Sequence, residues 1–557
     1  MTTLPETVQE YSRRAAQSFI QTAVFVDDRI YERGTVKEDE VKAPISVKTR
    51  KKVTKSANSS NKQSIVVSSD VDDEGNAPDT YDIVNSFAKK QIVCSLYQPK
   101  KSAQVSPKSD IFPLCKASDV VIVDWDLFGD KGGRALELIS GLISQAVKDV
   151  PEQLRLILVY TQEVNLFSVA DQIYEKVYPS IGESFQPCEN QGGLAFHTEN
   201  SRIVVLGKPG RERPDTDPSH IVEESHLADI AVREFAKLAS GILHAATLMG
   251  LAEIRKNSRK VLSRFSSDLD PAFLTHLAMC LPDDDASTHM IPLLVSEIEA
   301  VLEDALPTPL LPEKILRDWC LNVWQPGAHL DQLLGKKGLN HREIAEAICT
   351  KGFKEAATAH DTIPKMDSDK DKTKRVRKAS KILLPSDGSD ANHRFSHLMA
   401  SRTFYGDGKK ILKMGSIVHQ KDDDLYLLCI QPVCDSVRLK KPRVFMFVQM
   451  SKGASGAGSS ASHVIVEQGN SILELIYQPK SYLCLAAEFA PDAVSQRIAA
   501  KQEEDGSLFF EDTGWKKYHW LDQLRTSHAQ RAVERFASDL SRVGLTESEW
   551  LRRLESK

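Results

Sequence analysis

The sequence predicts an α/β N-terminal half built on a doubly wound five-stranded parallel sheet, followed by a helical middle region and a small, mainly β C-terminal domain. Three observations carry this reading. The runs VVIV (120–123), LILV (156–159) and IVVL (203–206) are apolar throughout and alternate with segments of helical spacing. That combination implies a parallel sheet covered on both faces. From about residue 218 to 360 the apolar spacing is helical, and after residue 395 short strand-like runs follow one another in series.

Taken in order, residues 5–21 have a helical pattern, and the strand Thr22–Val26 ends in the acidic pair Asp27 and Asp28. Residues 33–79 carry KTRKKVTK and SANSSNKQS with few large apolar groups. Such a stretch buries too little surface to offset its ordering entropy, so it reads as a flexible insertion. Its basic cluster (Lys48, Arg50, Lys51, Lys52, Lys55) is either a solvated loop or a docking patch. TYDIVNSFAKK then reads as a helix, QIVCSLY as a strand, IFPLCKAS as a helical turn and DVVIVDWDL as a strand. LELISGLISQAV has apolar residues at helical intervals, RLILVYT is a buried strand, SVADQIYEKVY a helix and SRIVVLGKPG the last strand. Together these define a domain over residues 1–215.

The region 216–360 begins with a long helix near residues 218–265. Ala231, Phe235, Leu238, Ile242, Ala245, Met249 and Ala252 recur at heptad spacing, which allows pairing of two copies into a homodimer or packing within the chain. Residues 361–395, with KDKTKRVRKASK, form a polar linker. In 396–557 the runs KMGSIVHQ, DLYLLCIQPV, RVFMFVQM, HVIVEQG, SILELIYQ and SYLCLAAEF suggest a small barrel or sandwich, interrupted by the loop KGASGAGSSAS. A helix from about His519 to Glu555 closes it.

At 557 residues the chain exceeds one core, and its 41% hydrophobic and 27% charged residues are those of an ordinary soluble protein. The formal charge of −5 argues against a protein that works by gripping nucleic acid. Nine cysteines occur without a CxxC pair or zinc spacing, and Cys429 and Cys434 sit in an apolar, core-like stretch. No signal-like start and no run of 18 apolar residues is present, so no membrane segment and a cytoplasmic setting are expected. His197, His226 and His244 read as helix-surface or core residues. No P-loop, kinase, HExxH or Ser-His-Asp signature appears, so no independent catalytic site is recognised.

The chemistry gathers on the first sheet. Asp27 and Asp28 end the first strand, Asp124 ends the third, Thr161 ends the fourth and Lys208 follows the fifth. Ligands of open parallel sheets bind beyond the carboxyl ends of the strands, where these residues would converge. Crowded carboxylates repel one another, and a divalent cation relieves that repulsion. Mg2+ suits oxygen ligands and phosphate. Asp124 would be the nucleophile for a phosphoryl group, and Asp28 with Asp27, Asp124 itself and the backbone carbonyl of Asp126 would hold the metal. Lys208 would neutralise one phosphoryl oxygen, and the Thr161 hydroxyl would donate to another.

The motifs FVDD (25–28), VIVDWDL (121–127), LVYT (158–161) and GKP (207–209) resemble the receiver domain of two-component response regulators. The resemblance implies a flavodoxin-like fold, Mg2+ as cofactor and a sensor histidine kinase as phosphodonor. It also implies that Asp126 and Glu163 occupy the positions that tune acyl-phosphate hydrolysis. The chain departs from the family at Gln162, where a small residue is usual, and at Val205, where an aromatic switch residue is common. The whole layout is similar to the large receivers of bacterial conflict systems, including the buffer-type receivers of Detocs antiphage systems. A signalling relay or phosphate buffer follows from that likeness; a receiver-controlled effector enzyme and a transcription regulator are the alternatives.

Overall fold

The computed structural model describes residues 7–31, 78–101, 109–149, 153–188, 191–279, 290–304, 310–361, 363, 381–384, 389–406, 408–453, 463–468, 471–477 and 480–540. The expected insertion at 33–79 lies outside them apart from its last two residues, as do most of the linker and of the loop KGASGAGSSAS. The chain divides into two compact units, Met1–Lys256 with Asp304–Trp319, and Asn257–Glu303 with Cys320–Lys557.

In the first unit, helix α1 (Val8–Phe19) starts at a reciprocal cap: the Thr7 hydroxyl accepts from the Glu10 amide, and the Glu10 carboxylate accepts from the Thr7 amide. Val8, Tyr11, Ser12, Ala15 and Ala16 are its buried stripe, one helix face. Strands β1 (Thr22–Val26), β2 (Val93–Tyr97), β3 (Val120–Asp124), β4 (Arg155–Thr161) and β7 (Ser201–Gly207) are parallel and lie in the order β2-β1-β3-β4-β7. Every residue of β3, β4 and β7 is buried, as a sheet covered on both faces requires. Side chains alternate between two cores. Ala23 and Phe25 face α1, α2 (Thr80–Lys89) and α6 (Leu227–Leu238), whereas Val24 and Val26 face α3 (Ile111–Ala117), α4 (Gly133–Asp149) and α5 (Leu166–Ile181). Each fully buried residue of Phe25's kind contributes about 1.5–3 kcal/mol.

Among the described residues the sheet has seven strands, not the expected five. The hairpin β5 (Gln186–Pro187) and β6 (Ala195–His197) adds antiparallel to the outer edge of β7. Stacking of Phe185 on Phe196 (5.2 Å) and on Tyr174 (5.7 Å) of α5 fixes it. Strands of two and three residues carry no period that a sequence reading can detect.

The helix expected across 218–265 is two. Short turns at Pro218–His220 and Glu224–His226 precede α6, and the chain breaks again before α7 (Ile242–Arg264) at Gly241, whose φ of +112° suits glycine. Ala231, Phe235 and Ala245 of the heptad set are buried in the first core, and Ile242 and Met249 pack against it, so this unit itself covers most of that stripe. Helix segment Glu313–Asp318 joins the same unit, with Asp318 accepting from the Val8 amide at 2.8 Å.

Among the described residues the second unit holds helices, including Asp270–Met279 and His341–Ala359, and a nine-stranded antiparallel sheet. Its strands are β8 (Ser416–Gln420), β9 (Leu425–Cys429), β10 (Arg443–Lys452), β11 (His463–Gln468), β12 (Ser471–Tyr477), β13 (Cys484–Phe489), β14 (Lys501–Gln502), β15 (Leu508–Glu511) and β16 (Lys517–Gln523). The order is β11-β12-β10-β9-β8-β16-β15-β14, with β13 also on β10. The expected terminal helix therefore starts late: His519 lies in β16, and the helix runs Thr526–Leu540. Cys429 is fully buried as expected, but Cys434 is exposed in a short turn after the strand ends. Among the described residues no helix is long and apolar enough to cross a membrane.

Candidate functional site

The carboxyl ends of β1, β3, β4 and β7 surround one cleft of about 90 Å³. All six residues singled out by sequence line it: Asp27, Asp28, Asp124, Asp126, Thr161 and Lys208. The cleft lies where strand order reverses between β1 and β3, the expected ligand position in such sheets.

Asp124 is the last residue of β3 and is 8% exposed. One oxygen lies 2.5 Å from Lys208 Nζ, and the other accepts from the Asp126 amide at 3.0 Å. Burial raises its carboxyl above the ordinary aspartate value, Asp27 adds to the rise, and Lys208 opposes it. Lys208 also reaches Asp27 Oδ2 at 3.3 Å and lies 5.4 Å from the centre of the Tyr160 ring. Its burial disfavours the charge, but the two carboxylates outweigh that and hold the ammonium above its ordinary value.

Asp27 accepts from the Arg29 amide at 2.8 Å, and Asp28 accepts from the Phe128 amide at 2.9 Å. Phe128 can present that amide because its backbone is left-handed, at φ +61°. A non-glycine residue there is sterically costly, and such strain concentrates at functional sites. Burial raises Asp28 above the ordinary aspartate value, against the opposing Phe128 hydrogen bond. Gly132, at φ +94°, closes the same loop: a Cβ there would come within 2.2 Å of the Trp125 ring.

Thr161 ends β4 and is 1% exposed. Its hydroxyl oxygen accepts from the Glu163 amide at 3.0 Å, which leaves its own proton to donate. Arg29, Gln162, Glu163 and Arg211 complete the lining. The arginines and the bracing Arg213 were missed by the sequence reading. Arg211 and Arg213 stand in the run GKPGRER (207–213), just past the lysine at which the recognisable motif stops, and nothing in that run marks them out.

The carboxylates of Asp27, Asp28, Asp124 and Asp126 offer the cleft oxygen ligands of the type Mg2+ takes. Yet among the described residues no three His, Cys, Asp or Glu side chains are grouped closely enough to hold a metal ion. Lys208 stands between Asp27 and Asp124 and supplies positive charge there itself.

Comparison with curated proteins yields no match to this chain, and comparison with solved structures yields none either. Residues 19–213, which contain the whole cleft, match the family model of the response receiver domain, and this supports a receiver domain in that part of the chain.

Proposed function

We propose that the chain is a phosphoacceptor response regulator that takes a phosphoryl group on Asp124. The observation that carries this reading is the meeting, in one cleft, of carboxylates, a hydroxyl and an ammonium from four separate strand ends. The receiver match over residues 19–213 agrees with it.

In the proposed reaction an Asp124 carboxylate oxygen attacks the phosphorus of the donor. A P–O bond forms, the bond from phosphorus to the donor breaks, and the donor leaves with its electron pair. The Lys208 ammonium would pair with one phosphoryl oxygen, and the Thr161 hydroxyl would donate a hydrogen bond to another. Asp27, Asp28 and the Asp126 carbonyl would hold Mg2+, which when bound neutralises charge on the transferring phosphoryl group. Burial around Asp124 excludes water and strengthens these interactions.

The donor in this reading is the phosphohistidine of a sensor histidine kinase, and the protein serves as a relay or phosphate buffer, with antiphage defence as the setting. The test is intact-mass measurement of the full chain after incubation with acetyl phosphate and Mg2+. One added phosphoryl group is expected in the wild type and none in Asp124→Asn. Equal labelling of the two would remove Asp124 from the role.

A further inference from the structure

Arg213 does not line the cleft, yet it touches the backbone on two sides of it. Its guanidinium is buried, and its donors go to three main-chain carbonyls: Nε to Glu163 at 2.8 Å, Nη1 to Lys208 at 2.8 Å and Nη2 to Thr161 at 3.4 Å. Two of these carbonyls belong to the residues that present the hydroxyl and the ammonium to Asp124. The third belongs to the residue whose amide holds the Thr161 hydroxyl. A direct bond from the Lys208 amide to the Thr161 carbonyl, at 2.7 Å, joins the same two loops.

Gly207 makes room for this arrangement. A Cβ there would stand 3.0 Å from the guanidinium carbon and 3.1 Å from Nη1, so the planar group lies against bare backbone. A flat cation with donors in a rigid fork can serve three acceptors at once, and an ammonium on a flexible stem cannot do so in the same geometry. Burying a charge that makes no ion pair with a cleft carboxylate is costly, and carbonyl dipoles from two loops offset it.

We infer that Arg213 is a positioning residue for phosphoryl transfer, locking the loops after β4 and β7 so that Thr161 and Lys208 face Asp124 together. This rests on the phosphoacceptor reading above. The site differs from the acidic pocket because Arg213 contacts neither the nucleophile nor the proposed metal ligands.

The experiment follows labelling of the full chain by acetyl phosphate over time, by intact mass, across a range of Mg2+ concentrations. Arg213→Ala and Arg213→Lys are compared with wild type and Asp124→Asn. In Arg213→Ala the forward rate constant should fall by about tenfold to a hundredfold, as misplaced reacting groups cause. The Mg2+ concentration giving half the maximal rate should stay unchanged. Arg213→Lys should stay close to Arg213→Ala, and it supplies the measurement if the alanine variant does not fold. A smaller labelled fraction with an unchanged rate constant would mean that Arg213 only supports folding and would overturn the inference. So would wild-type rates in both variants, with the phosphoacceptor reading left standing by the inert Asp124→Asn. Absence of Asp124-dependent labelling in the wild type would remove both.

Discussion

The ammonium of Lys208 stands 2.5 Å from a carboxylate oxygen of Asp124, and both side chains are almost wholly buried. Lys208 reaches Asp27 as well, so its removal leaves two carboxylates facing each other without their cation. Losing one partner of a buried pair costs about 3–5 kcal/mol. Lys208→Ala is expected to melt lower than wild type, and added Mg2+ should raise its melting temperature by more than that of the wild type. Its labelling by acetyl phosphate should slow by about a hundredfold, the usual loss when a charge-stabilising donor is removed. An unchanged labelling rate would show that Lys208 takes no part.

Glu234 gives a pH prediction away from the cleft. It is fully buried on α6, and Arg202, Arg233 and Lys237 surround it at 2.9, 3.1 and 2.8 Å. Burial pushes its carboxyl up, but Lys237 and Arg202 outweigh this and hold it below the ordinary glutamate value of 4.5. A depressed acid contributes stability that is present above its unfolded value and lost as pH falls through the folded one. Glu234→Gln should therefore be less stable than wild type by about 3 kcal/mol at neutral pH. The gap should close once the pH drops well below 4.5. Urea unfolding of both proteins across that range measures it, and a gap independent of pH would refute the assignment.

Gly132 is the backbone support beneath Trp125. Its φ of +94° and the 2.2 Å approach of the Trp125 ring leave no place for a side chain. Gly132→Ala should cost about 1–3 kcal/mol through strain and overpacking. Because Trp125 directly follows Asp124, the variant should also shift the tryptophan emission and slow labelling. Thermal melts and fluorescence spectra test both effects.

Tyr160 tethers the strand end to the chain that leads into α6. Its hydroxyl donates to the Val222 carbonyl at 2.7 Å, and the Val222 amide donates to the Gly207 carbonyl at 3.0 Å. Tyr160→Phe leaves a buried carbonyl without its donor, at a cost of about 1–3 kcal/mol. Faster hydrogen exchange should follow at the Val222 amide while the β3 amides keep their protection. Identical exchange in both proteins would show that the tether is unimportant.

The strands β1, β3, β4 and β7 were legible because each is apolar along nearly its whole length and leads at the same rim into a polar residue. Asp27, Asp28, Asp124, Asp126, Thr161 and Lys208 could be grouped on that basis alone. The arginines could not, because no period or motif distinguishes Arg213, which acts on backbone carbonyls, from a surface arginine. The heptad run was misleading as a mark of one helix. Ala231 and Ala245 lie in different helices that share a core, and Gly241 between them bends the chain. In the second unit the sequence places His519–Gln523 in the terminal helix, although His519 and Gln523 pair with His419 and Ser416 of β8, far earlier in the chain. Such long-range pairing leaves no local trace.

The edge hairpin beside β7 also bears on whether this side of the sheet can accept a strand from another molecule. A bare outer strand exposes a row of amides and carbonyls that can recruit a strand from a neighbouring molecule and seed aggregation. Here the outermost strand is two residues long, and one of them, Pro187, has no amide hydrogen to offer. The sheet is thereby sealed on that side against growth, and strand addition from another chain would have to use the opposite border at β2.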